Sequence, residues 1–154
     1  MSGDGNFIMK ITISKDDFDR IYEHALSVRP EEACGLIAGQ DRDSGIRVIE
    51  KVYILTNTDH TNEHFTIDPK EQLAAIKDMR SNGLKPLGNW HSHPESPSRP
   101  SEEDKKLAND SKASYLILSL MEEGKPVLNA FHIESKDGEK TVRKEELMII
   151  KTGG

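Results

Sequence analysis

Residues 88–108 read GNWHSHPESPSRPSEEDKKLA. The approach to this stretch, LKPLGNWHS (84–92), reads as a β-strand. Residues 94–100 hold three prolines and form a stiff loop. Ser101 then stands three residues before Asp104, the signature of an N-cap with an acidic partner, so a helix over about 102–111 follows. In an extended strand, residues i and i+2 project to the same side, so His91 and His93 emerge together. Two imidazoles on one face, a carboxylate returning on the first turn of the next helix, and an open fourth position have the composition of a catalytic zinc site. Each half alone has a plainer reading: a lone His-x-His usually means nothing, and SEED is an ordinary capping sequence. Together they supply three ligand-competent side chains within fourteen residues, on one strand–loop–helix unit.

The flanking sequence gives this unit a scaffold. FIMKITI (7–13) alternates as a short strand, and Ser14 with Asp17 caps a helix over 15–28, where Phe18, Ile21, Tyr22, Ala25 and Val28 recur at helical spacing until Pro30. ACGLIAG (33–39) reads as a buried strand, DRDSG (41–45) as a turn, and IRVIEKVYIL (46–55) as a longer strand. A polar loop (56–63) and a brief strand HFTI (64–67) precede a second helix from Pro69 to about Ser81, capped by Asp68 and closed at Gly83. SYLILSL (114–120) and PVLNAFHI (126–133) form a hairpin across MEEGK. The rest is polar up to ELMII (146–150), a last strand or helical turn. Interleaved strands and helices with hairpins indicate an α/β fold with a mixed sheet.

Bulk properties bound the function. A chain of 154 residues suits one domain with one core, here 1–154, with 134–154 partly a flexible C-terminal tail. The net charge of −6 argues against nucleic acid as a partner, because phosphate backbones demand a basic footprint. No apolar run approaches the roughly 20 residues that cross a bilayer, so no membrane role is expected. MSGDGNFIMK lacks the apolar core of a signal peptide. The single cysteine, Cys34, makes no internal disulfide, and a cytoplasmic location is the natural expectation. It also excludes a zinc nucleobase deaminase, which needs a Pro-Cys-x-x-Cys pair.

A zinc hydrolase also needs a general base to take the proton of water and pass it to the leaving amine. Glu31 and Glu32, just before the apolar 33–39 strand, are the candidates. The combination of EEACGLIAG, GNWHSHP, the seven residues from Pro94 to Pro100 and SEED resembles the JAMM (MPN+) metalloprotease family, in its compact bacterial and archaeal form. HFTIDPKEQ and SYLILSL also look like segments of that family, so the resemblance covers most of the chain. It implies a single domain with a curved mixed β-sheet flanked by helices, an architecture akin to that of cytidine deaminases. It implies that His91, His93 and Asp104 bind one Zn2+ per chain. The family glutamate stands three residues before a glycine, so Gly35 selects Glu32 over Glu31 as the base. Ser101 would hydrogen-bond the carbonyl oxygen or its oxyanion, in which case its hydroxyl is not free to be an ordinary cap. The implied reaction is hydrolysis of an amide bond after the C-terminal Gly-Gly of a ubiquitin-like or sulfur-carrier protein. The alternative is a non-catalytic MPN-type module that binds such tails, and in modules of that kind the ligand set is usually broken.

The remaining reactive residues have plainer readings. Cys34 is a buried small apolar residue, since no base is placed to activate it. His60, Glu63 and His64 are polar loop residues near the substrate groove rather than a second metal site. Trp90 faces away from His91 into the core, and Ser92 is a small structural residue. His24 and His132 have no evident partner. The terminal Gly153 and Gly154 repeat the ending of the carriers the family processes; a disordered tail is the plain reading, and a tail that re-enters the cleft is the sharper one.

Overall fold

The computed structural model describes residues 8–151. Its elements are β1 (Lys10–Ser14), α1 (Lys15–Val28), β2 (Cys34–Arg42), β3 (Ile46–Leu55), α2 (Pro69–Ser81), β4 (Lys85–His93), α3 (Glu102–Leu107), β5 (Ser114–Ser119), β6 (Val127–Lys136) and β7 (Glu139–Ile150). The sheet is mixed, with the order β1-β3-β2-β4-β5-β6-β7, and it curves until β7 pairs in parallel with β1 and closes a barrel. The expected curved mixed sheet with flanking helices is therefore what the chain forms. No helix among the described residues is long and apolar enough to cross a membrane.

The caps follow the expected chemistry. Ser14 Oγ accepts from Asp17 N at 3.0 Å, and Asp68 Oδ1 accepts from Lys70 N at 2.8 Å. The helices pack on different faces of the sheet. Phe18, Ile21 and Ala25 of α1 join Ile11, Ile37 and Trp90 in the main core. Ala75 and Met79 of α2 cover Leu36 and Ala38, while Ala108 at the end of α3 packs on Ile117, Phe131 and Ile133. Burial of each such large side chain stabilises the fold by about 1.5–3 kcal/mol.

Two glycines determine how β4 presents its residues. The β2–β4 register shifts between Ile37 and Ala38, with Ile37 opposite Gly88 and Ala38 opposite Pro86, so Leu87 is an extra residue. Gly88 sits at φ 151, where an added Cβ would lie 1.9 Å from Ser114 O. This bulge lets Leu87 and Trp90 both enter the core, leaving Asn89, His91 and His93 on the opposite face. Gly35 lies against Trp90: a Cβ there would be 1.8 Å from Tyr53 O and 2.3 Å from Trp90 Nε1. Neither atom can yield, since Trp90 Nε1 donates to Tyr53 O at 3.0 Å. Gly35→Ala is accordingly expected to cost more than about 4 kcal/mol, measured by chemical denaturation.

Several elements differ from expectation. The polar segment after Ile133 contains the end of β6 and the whole of β7, which pairs antiparallel with β6 and parallel with β1. Most of β7 is solvent-facing, with Glu145 its buried residue, so it lacks the apolar alternation that signals a strand. α3 ends at Leu107 rather than near 111, because Ala108 leaves helical geometry (ψ 100) to bury itself and its carbonyl accepts from Lys140 of β7. HFTI contributes one isolated bridge, Asn57 with Ile67, in place of a strand. The proposed re-entrant tail of Gly153 and Gly154 lies outside the described residues.

A buried charge joins four strands. Arg47 of β3, 3% exposed, holds Asp41 through Nε (2.6 Å) and Nη2 (3.0 Å), and its Nη1 donates to Leu87 O, Lys112 O and Ser114 Oγ. With five hydrogen bonds the guanidinium is compensated for leaving water.

Candidate metal centre and its acid

His91 and His93 leave the same face of β4 near its C-terminal end, and both are 3% exposed. The proline-rich loop is anchored at several points. Ser98 Oγ donates to Ile117 O (2.6 Å), Ser119 Oγ to Ser96 O (2.6 Å) and Asn129 Nδ2 to Ser98 O (3.2 Å). This bracing turns the first turn of α3 back over the strand and delivers Asp104. His91 Nε2 and His93 Nε2 are 3.1 Å apart, and Asp104 Oδ2 lies 3.2 Å from the first and 3.0 Å from the second. This is the one group of three or more His, Cys, Asp or Glu found to converge among the described residues.

Protons on the imidazoles hold the metal-free triangle together, and a cation at its centre would replace them. His93 Nδ1 lies 2.9 Å from Pro97 O, an acceptor, so Nδ1 carries a proton; burial acts to lower His93, but Asp104 and the Pro97 carbonyl outweigh it and raise it, so in the metal-free chain Nε2 is protonated as well, whereas in the neutral, ligating ring Nε2 is a bare lone pair. That lone pair faces a carboxylate oxygen. A cation at the centre reconciles all three atoms, and tetrahedral ligands at about 2.1 Å from a metal stand about 3.4 Å apart, close to the spacing here. The carboxylate is held ready. Burial acts to raise Asp104, but the hydrogen bonds from His91 and His93 outweigh it and keep the carboxyl well below its usual range. Burial pushes His91 down, which favours the neutral, ligating form. The Pro97 carbonyl is the kind of outer partner that fixes the ring of a ligating histidine.

Glu32 enters from the segment before β2. Its backbone is fixed on three sides: its N–H donates to Thr61 O (2.8 Å), its carbonyl accepts from Asn57 Nδ2 (3.0 Å), and the next N–H, Ala33, donates to Ser92 Oγ (2.8 Å). Ser92 thus has the structural part expected of it, tying β4 to the Glu32 segment. The Glu32 side chain is 3% exposed and its Oε1 has no hydrogen-bond partner. Burial pushes its carboxyl up to about 8, His93 opposes the shift and Asp104 adds to it, so Glu32 lies within electrostatic reach of the triangle. Glu31 instead turns to the surface and meets His60 Nδ1 at 3.2 Å.

Ser101 corrects one expectation. It is an ordinary cap after all: its Oγ accepts from Asp104 N (3.0 Å), and its N–H donates to Asp104 Oδ2 (2.9 Å), a full capping box. Accepting that bond leaves the hydroxyl proton free to donate, so capping and donating are compatible.

Other residues resolve simply. Burial pushes the Cys34 thiol up to about 12, as suits a packed apolar side chain. His64 Nδ1 pairs with Asp59 at 2.9 Å rather than with His60 or Glu63. His24 meets the edge of Trp90, and His132 Nε2 meets Ser111 O at 2.5 Å. Two contributors were not singled out from sequence. Phe65 stacks on the His91 ring at a 4.7 Å centroid distance. Asn57, 6% exposed, accepts from Asp59 N and Thr66 N while donating to Glu32 O and His64 O, and so holds the 57–66 loop against the site. An aromatic within a family-like segment was the available signal for Phe65; Asn57 gave none.

Known proteins resemble this chain over most of its length. Residues 14–134 match a family model described as prokaryotic homologs of the JAB domain. The desampylase of Haloferax volcanii is 30% identical over 115 residues, which are 71% of this chain and 81% of that protein. The CysO-cysteine peptidase of Mycobacterium tuberculosis is 28% identical over 123 residues, 80% of this chain and 82% of the relative. The solution structure of a Desulfitobacterium hafniense protein superposes with a TM-score of 0.81 at 50% identity, covering 92% of this chain and 94% of that one.

Proposed function

The chain belongs to the family of prokaryotic JAB-domain proteins, and from that premise we propose that it is a zinc-dependent peptidase or isopeptidase that hydrolyses the amide bond after the C-terminal Gly-Gly of a ubiquitin-like or sulfur-carrier protein. The observation that carries this reading is the convergence of His91 Nε2, His93 Nε2 and Asp104 Oδ2 within electrostatic reach of the buried Glu32 carboxyl, whose Oε1 has no partner. The relatives named as a desampylase and a CysO-cysteine peptidase support the substrate class. A module that only binds tails has no use for a buried acid at such a cluster.

His91, His93 and Asp104 would hold the ion. When bound, zinc supplies a Lewis acid that polarises the scissile carbonyl and brings the pKa of water toward neutrality. The proton traffic then belongs to Glu32. Its carboxylate takes a proton from the attacking water and returns it to the leaving nitrogen, so the amine departs neutral. Burial lifts Glu32 to about 8, and a dication beside it brings that value back toward neutrality, where one group both accepts and releases protons. Ser101 Oγ–H donates to the carbonyl oxygen as negative charge grows there. Glycines at the acyl end suit a narrow cleft, because backbone without a Cβ approaches the ligand triangle closely. A cytoplasmic setting suits a chain whose one cysteine is a free, buried thiol.

Ser101→Ala is expected to retain zinc and to lose about 10²–10³ in kcat, the cost of one oxyanion donor. It should also lose about 1 kcal/mol of stability with the cap. Metal analysis beside steady-state kinetics checks both. The function itself is tested by incubating the purified chain with a ubiquitin-like carrier fused through Gly-Gly to a reporter and reading product masses. Cleavage after the second glycine supports it; binding without cleavage returns the protein to the class of tail-binding modules.

A further inference from the structure

The two histidines of the triangle are supported differently. His93 Nδ1 has the Pro97 carbonyl at 2.9 Å, the kind of outer partner a ligating imidazole usually has. His91 Nδ1 is buried and has no hydrogen-bond partner among the described residues. When Nε2 of a neutral ring offers its lone pair to a metal, Nδ1 carries the proton, so in His91 no acceptor fixes that N–H. Packing leaves room as well. A pocket of about 50 Å3 runs beside His91 and Asp104, lined in part by Phe65, Leu107 and Ile117. Against the face of the His91 ring stands Phe65, with the two centroids 4.7 Å apart and the planes 28° from parallel.

Phe65 is itself held from both sides. Asn57 Nδ2 donates to His64 O (3.2 Å) and Asn57 Oδ1 accepts from Thr66 N (3.1 Å), so one amide pins the residue before Phe65 and the residue after it. Thr58 N adds a bond to Thr66 O (2.8 Å). The same Asn57 Nδ2 donates to Glu32 O (3.0 Å), so the aromatic ring is referenced to the segment that carries the base.

We propose that Phe65 is the positioning residue of His91: its ring does by stacking what the Pro97 carbonyl does for His93 by hydrogen bonding. The inference rests on the reading of His91 as a metal ligand. An imidazole turns about its Cβ–Cγ bond within a broad well. Turning swings Nε2 away from the point where His93 Nε2 and Asp104 Oδ2 converge, and the neighbouring pocket accepts the displaced edge. A face-stacked aromatic opposes that rotation, because the overlap of two near-parallel rings is lost as one of them tilts. A leucine in the same place fills much of the volume but presents no flat face. Phe65 acts through His91 alone, so its removal shows first in how the ion is held. A residue that only walled the substrate groove would change KM and leave the ion as it was.

The test compares Phe65→Leu, Phe65→Tyr and Leu107→Ala, the last of which opens the same pocket while leaving the stack in place. Phe65 is half-buried in a loop, so neither substitution there threatens the fold. Two readouts need no turnover: zinc Kd by competition with a chelator, and the visible spectrum of the stripped chain loaded with Co2+, whose bands report the arrangement of the ligands. Phe65→Leu should weaken zinc about two- to tenfold, the worth of one aromatic pair, and shift the cobalt bands. Phe65→Tyr, which keeps the stack, should restore both, and Leu107→Ala should match the wild type. Wild-type zinc Kd and cobalt bands in Phe65→Leu, even with a raised KM on the Gly-Gly-linked fusion, overturn the inference and leave Phe65 as a wall of the groove. Equal shifts in Leu107→Ala overturn it too, since the effect then belongs to the pocket. His91→Ala isolates the premise: if it retains the wild-type cobalt spectrum, His91 is no ligand and the role of Phe65 falls with it.

Discussion

Replacing Glu32 by Gln is expected to lower kcat by about 10²–10⁴ while zinc content and fold are kept. The amide matches the carboxylate in shape and suits the same buried position, 3% exposed, but it accepts no proton from water. Glu31→Gln is the control: Glu31 pairs with His60 at the surface, and its loss should leave kcat within about twofold, as surface changes usually do. Reversed phenotypes would move the base by one position and break the register given by Gly35. A second readout needs no substrate. In the metal-stripped chain Glu32 has a folded pKa of about 8 against an ordinary 4.5, so its contribution to stability is fully present below about 4.5 and is lost as pH rises through about 8. Glu32→Gln removes that loss. The stripped variant should therefore melt higher than the stripped wild type at pH 8 to 9, with the two converging near pH 4.5.

The second large effect is loss of the metal. Asp104→Asn is expected to weaken zinc binding by more than about 100-fold and to take activity to background, because even loss of an outer partner to a ligand costs about 10–100-fold. Asn keeps an oxygen for the Ser101 N–H, so the capping box and α3 survive, and the result reports on the ligand rather than on folding. His91→Ala should act in the same way, since two remaining ligands rarely hold zinc tightly. Dialysis against a zinc buffer followed by metal analysis reads both. Full zinc occupancy in either variant would remove that residue from the ligand set.

The site was legible in the sequence where its geometry is local. His91 and His93 share a face because strands alternate, and Asp104 comes back because a capped helix starts three residues earlier; neither needs the rest of the fold. Trp90 and Ser92 follow from the same alternation. Closure of the barrel was not legible. It depends on β7 finding β1 across most of the chain length, and β7 is largely solvent-exposed, so its composition resembles that of a tail. Arg47 was hidden for a related reason, because a buried charge reads as an exposed one until its five acceptor contacts are in place. Phe65 and Asn57 lie in a polar loop whose shape is set by contacts with Glu32 and His91 rather than by its own periodicity. For Ser101 the expected conflict between capping and donating dissolves once lone pairs and proton are counted separately.

The most direct measurement is a zinc titration of the chelator-stripped wild-type chain, following cleavage of the Gly-Gly-linked carrier fusion. Activity should be absent at the start, rise in proportion to added zinc and break at one equivalent per chain, with the product ending at the second glycine. A stripped chain that cleaves at the full rate, or a break well away from one equivalent, would contradict a single ion held by His91, His93 and Asp104.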